Sequence, residues 1–92
     1  MRVKSKIYIK MKRRNYTLIF KAEPEGGYTV IVPSLPGCVT YGKNLQEAKE
    51  MAADAIGGYI ASLKKHKEPV PSDDSVFLTT INIEDKQKVS YA

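Results

Sequence analysis

Ninety-two residues suffice for one small domain, and 42% hydrophobic with 27% charged residues excludes an intrinsically disordered chain. No apolar run approaches the roughly 18 residues of a membrane span, and Ile7-Tyr8-Ile9, the longest such run near the N-terminus, is too short for a signal-peptide core. One Cys excludes an internal disulfide, one Cys with one His excludes a zinc site, and the net charge of +5 leaves a cytoplasmic domain, soluble and without metal or cofactor, as the expectation.

The charge is unevenly placed. Residues 1–14 carry seven cations and no acid, whereas residues 15–92 carry eight cations and ten acids. The division read from this is a basic arm or extra edge strand over 1–14, a folded body over 15–84 and a short tail over 85–92. Arg2, Lys4, Lys6, Lys10, Lys12, Arg13 and Arg14 are candidate phosphate contacts. The plainer alternative is a solubilising sheet edge. Met11 is a second candidate start, which would make residues 1–10 an over-extension. Ile7, Ile9 and Met11 alternate with Lys6, Tyr8, Lys10 and Lys12 at the period of a half-buried strand.

Tyr16 to Lys21, rich in β-branched and aromatic residues, predicts the first strand of the body. Arg13-Arg14-Asn15 could close a hairpin between it and the arm. Glu23-Pro24-Glu25-Gly26-Gly27 reads as a turn and Tyr28 to Val32 as the next strand. Pro33-Ser34-Leu35-Pro36-Gly37 breaks the ladder, with Pro36 and Gly37 suited to a type II turn. Cys38 to Tyr41 is a short third strand closed by Gly42. Asn44 and Glu47 form a capping-box pair opening a helix whose apolar face runs Leu45, Ala48, Ala52, Ala55, Ile56, Tyr59, Ile60, Leu63. Pro69 and Pro71 are expected to stop it. Gly57 and Gly58 inside it suggest close approach to a sheet or partner. Val76 to Ile83 predicts a last strand with Phe77, Thr79, Ile81 and Ile83 on one face. The fold class is α+β in two layers: one helix on an antiparallel-type sheet, in the order (β)βββαβ.

The run from Tyr16 to Ile83 resembles the HicB antitoxin family. The residues that carry the resemblance are Gly26-Gly27-Tyr28, then Pro33-Ser34-Leu35-Pro36-Gly37-Cys38, then Gly42 and the Leu45-x-Glu47-Ala48 start of the helix. The resemblance implies a truncated ribonuclease-H-like or double-stranded-RNA-binding-like core. It also implies a role as an antitoxin that covers the active site of a small HicA ribonuclease toxin. Longer members carry a helix-turn-helix or ribbon-helix-helix segment after the core. Glu84 to Ala92 is too short for either, so operator binding is not expected.

The acids bear on whether such a core could be an enzyme. Two-metal phosphoryl chemistry needs carboxylates converging on a pair of cations, and the first body strand contains none. Glu23 and Glu25 lie in a turn, while Glu47, Glu50 and Asp54 lie on the polar helix face. These five are instead candidate contacts for a basic toxin. His66 reads as a surface residue and Cys38 as a structural thiol. The six tyrosines read as core or dimer contacts in preference to base-stacking platforms. The expected function is non-enzymatic, HicA-type toxin neutralisation by a homodimer or higher even oligomer. The alternatives are a nucleic-acid-binding module using the arm and, more distantly, a degenerate nuclease.

Overall fold

The computed structural model describes residues 13–87. Three strands, β1 (Ile19–Ala22), β2 (Tyr28–Ile31) and β3 (Val39–Gly42), precede one helix, α1 (Leu45–Lys65). The sheet is antiparallel in the order β1-β2-β3, and α1 packs across it, so the α+β two-layer class holds.

The register divides the sheet cleanly. Phe20, Val30 and Thr40 stand across from one another and face the helix, as do Ala22, Tyr28 and Gly42. Ile19, Ile31 and Val39 form a row on the opposite face, where all three are exposed. Val30 is fully buried against Ala48 and Ala52, with Leu18, Phe20 and Tyr28 closing around them. A second cluster of Val32, Leu35 and Cys38 is covered by Tyr16, Ala55, Ile56 and Tyr59. Small alanines on the helix let it approach the strands closely, so a thin sheet yields a sealed core.

The Pro-rich connection contributes directly to that core. Leu35 N–H donates to Val32 O (3.0 Å) and Cys38 N–H to Leu35 O (2.9 Å), giving two successive turns. Gly37 has φ +81°, as the second turn requires. The result drives Leu35 inward to full burial. Val32, expected at the end of a strand, instead spends its N–H on Cys38 O at 3.1 Å, closing the loop.

Five expectations need correcting. The first strand begins at Ile19, because the Thr17 amide is bonded to the Asp73 carboxylate (3.1 Å) and cannot serve a ladder. The helix is not stopped by Pro69. It ends earlier in a Schellman motif, with Glu68 N–H to Leu63 O (2.8 Å) and Lys67 N–H to Lys64 O (3.1 Å), and with Lys67 left-handed at φ +56°. Gly57 and Gly58 meet nothing within 4 Å of a built Cβ, so no close approach to the sheet explains them among the described residues. Val76 to Ile83 forms no strand: among the described residues it has neither a ladder partner nor cover, and Phe77, Leu78, Ile81 and Ile83 are exposed. Arg13-Arg14-Asn15 shows no turn. The strand expected over Ile7 to Met11 lies outside the described residues.

Candidate interaction surfaces

The residues singled out by their motif turn out to build the frame. Gly26 and Gly27 have φ +106° and +79°, and they close the β1–β2 turn, where Glu23 N–H bonds Gly27 O and Gly26 N–H bonds Glu23 O, both at 3.0 Å. A Cβ on Gly27 would run into the Tyr41 ring, whose hydroxyl donates to Gly26 O at 2.9 Å. Gly42 is buried where the helix begins, and a Cβ there would collide with the Ala48 backbone. Asn44 Oδ1 accepts the Glu47 N–H (2.8 Å), and Glu47 Oε1 accepts the Lys43 N–H (3.1 Å), so the capping box is complete. Leu45, unlike Ala48, is largely exposed. Pro33 is half-buried and Pro36 exposed, and the Pro36 carbonyl accepts from the Tyr59 hydroxyl at 2.8 Å. Cys38 is buried, and desolvation pushes its thiol pKa up, which keeps it protonated and unreactive.

The five candidate acids are not equivalent. Glu47 is half-buried and occupied by the cap, and Glu23 accepts from the Thr29 hydroxyl at 2.5 Å. Glu25, Glu50 and Asp54 are exposed. Glu50 and Asp54, four residues apart on α1, share one stripe of the helix that faces away from the sheet. The structure therefore brings two of the five together on one free surface and assigns two others local structural work.

Of the candidate phosphate contacts, Arg2, Lys4, Lys6, Lys10 and Lys12 lie outside the described residues. Arg13 and Arg14 border a polar depression of about 480 Å³ that they share with Asp73 and Asp74. Two carboxylates beside two guanidinium groups weaken the pull on a phosphate.

Sequence reasoning missed Asp73, in the segment between α1 and Val76. Its Oδ1 accepts the Ser34 hydroxyl (2.6 Å), and its Oδ2 accepts both the Thr17 hydroxyl (2.6 Å) and the Thr17 amide (3.1 Å). These bonds favour the ionised form and hold the carboxyl below its ordinary pKa, the Ser34 hydroxyl contributing most. Beside it the Tyr16 hydroxyl donates to Pro71 O at 2.6 Å. Together they fasten the chain after the helix to the approach of β1. Nothing in local sequence pattern signals an acid whose partners lie 39 and 56 residues away.

A second depression, of about 580 Å³, runs along the flank of α1 beside residues 14–18. Leu18, Ile56, Gly57 and Ile60 make its floor, with Lys49 and Lys64 at its rim. Among the described residues, no group of three or more His, Cys, Asp or Glu side chains is placed to hold a metal ion. His66 is exposed at the helix end, its Nδ1 2.8 Å from Ser62 O. No helix among the described residues is long and apolar enough to cross a membrane.

Comparison with known proteins agrees with this frame. Residues 16–90 match the HicB-like antitoxins of bacterial toxin–antitoxin systems. The chain is 47% identical over 64 residues to a UPF0150 protein of Thermoplasma acidophilum, covering 70% of this chain and 93% of that one. It is 39% identical over 62 residues to a UPF0150 protein of Synechocystis, covering 67% and 78% respectively. A UPF0150 protein of Archaeoglobus fulgidus is 40% identical over 53 residues, covering 58% and 75%.

Proposed function

The chain belongs to the HicB-like antitoxins of bacterial toxin–antitoxin systems, and we propose that it acts in the cytoplasm, without catalysis of its own, by binding and neutralising a HicA-type ribonuclease toxin. The family match over residues 16–90 carries this reading. The mechanism is steric and electrostatic. A toxin that grips RNA must present cations around its active site. The body meets it with ten acids against eight cations over residues 15–92, including the exposed Glu25, Glu50 and Asp54. Opposite charge speeds the encounter, and the rigid two-layer body then occupies the space that RNA would enter. The body works as a homodimer or higher even oligomer, since among the described residues both outer strands of its sheet, β1 and β3, have an unpaired edge and a chain this small gains from hiding apolar surface.

Co-expression tests the proposal. A chain lacking residues 1–12 is expected to rescue growth of cells producing the cognate toxin. Failure to rescue by a chain that remains folded overturns the assignment of neutralisation to the body. The seven cations of residues 1–14 favour a second activity, nucleic-acid binding by the arm. The same deletion should then remove nucleic-acid affinity and its steep salt dependence. If affinity survives the deletion, the arm is not the binding element.

A further inference from the structure

Two bare features of this chain fit one another. Residues 76–83 alternate as a strand does, yet they lie uncovered, with Phe77 87%, Ile81 82% and Ile83 70% exposed on one face. Phe, Ile and Leu seldom stay this exposed together over eight residues of a small domain. The groove on the flank of α1 is the converse, an apolar floor of Leu18, Ile56, Gly57 and Ile60 with none of the described residues lying in it. Its second wall is the segment over 14–18 that leads into β1, and β2 occupies one edge of β1, the other being unpaired among the described residues. A strand laid on the free edge of β1 would turn alternate side chains onto that floor.

Size and charge agree. Lys49 to Lys64 spans about 22 Å of helix at 1.5 Å per residue, and eight extended residues span about 26 Å. Glu84 and Asp85 follow the apolar run, and Lys49 and Lys64 border the groove. Gly57 also gains a purpose. Helix interiors disfavour glycine, and here its open Cα surface leaves room for a strand to lie close. Within one chain the two features stay apart: Val76 N–H bonds back to Asp73 O (3.1 Å), and the residues beyond form no ladder with their own β1.

We propose that Val76–Ile83 of one copy lies as a fourth strand along β1 and over the α1 groove of a second copy, and the reverse, giving a strand-exchanged homodimer. The proposal rests on the self-association put forward above and not on toxin binding. It fills both grooves and covers both tails with one two-fold operation, as a closed isologous contact requires.

Equal amounts of ¹⁵N-labelled and unlabelled full-length protein, each carrying a benzophenone amino acid in place of Phe77, are refolded together and irradiated. The expected products join the residue-77 peptide to peptides of residues 49–64, with labelled and unlabelled halves mixed in the same cross-link. Cross-links only between halves of the same label would show the tail folding onto its own groove and overturn the exchange. Cross-links that avoid residues 49–64 would overturn the seat. Two variants followed by sedimentation complete the test. Gly57→Leu, whose Cβ meets none of the described residues within 4 Å, should weaken the dimer at least tenfold with circular dichroism unchanged. A chain ending at Ser75 should sediment as a monomer. If both variants dimerise as tightly as the parent, the exchange is wrong while self-association stands. A monomeric parent chain overturns both.

Discussion

Leu35 is fully buried between two prolines, held there by two turns rather than by a strand or helix. Leu35→Ala leaves a cavity that this rigid loop cannot close, and about 3 kcal/mol of stability should be lost. Gly42→Ala places a methyl group against the Ala48 backbone and should cost about 2 kcal/mol through overpacking. Urea titration reads both, and wild-type midpoints would contradict the packing described. Lys67 points the other way. Its left-handed backbone strains a residue bearing a Cβ, so Lys67→Gly should stabilise the helix end by about 1 kcal/mol, seen as a rise in melting temperature. An unchanged or lower melting temperature would contradict this.

At the level of elements, the segment after α1 is held by a carboxylate. Asp73 has a folded-state pKa below its ordinary value of 3.8, because the Ser34 and Thr17 hydroxyls donate to its charged form. The stabilisation it gives is complete above the ordinary value and is lost as pH falls through the lower, folded one. Hydrogen exchange at the Thr17 amide should therefore stay protected from pH 7 down to about 5 and lose protection only in stronger acid. Asp73→Ala should expose that amide at neutral pH. Protection that ignores the substitution would remove Asp73 as the anchor. The contrast between this anchor and the capping box explains what was legible in the sequence. Asn44 and Glu47 act within four residues, and their spacing announces them. The Gly26-Gly27 turn and the Pro36-Gly37 turn are equally local. The late start of β1 is set by a distant partner of Thr17, which no local periodicity encodes. The unformed last strand has a strand's alternation but no partner among the described residues of its own chain. The helix stop was misplaced because a lysine took the left-handed position that glycine or asparagine would have advertised.

For the whole molecule, the distribution of exposed acids decides how a basic partner is met. Glu50→Lys with Asp54→Lys reverses charge on an exposed stripe of α1. Association with the toxin should slow about tenfold at low ionic strength, with the difference shrinking as salt rises. Stopped-flow mixing measures this, and an unchanged rate would move the docking face elsewhere on the body. Glu47, although on the same helix, belongs outside this test because it serves the cap. The candidate interface was thus half legible: the sequence shows where acids occur, but only the fold shows which of them are already engaged.

The sequence distance spanned by the Asp73 anchor also bears on the time course of folding. β1 pairs with β2 and β2 with β3, and α1 follows β3 directly, so the sheet and helix assemble from neighbours along the chain. Asp73 and Thr17 are separated by 56 residues, so closing that loop repays its entropy only after the body has formed. Their contact should be absent from the folding transition state. Asp73→Ala would then leave the refolding rate unchanged and place its whole effect on a faster unfolding rate. The anchor governs how long the folded body lasts, and has no part in how quickly it is made.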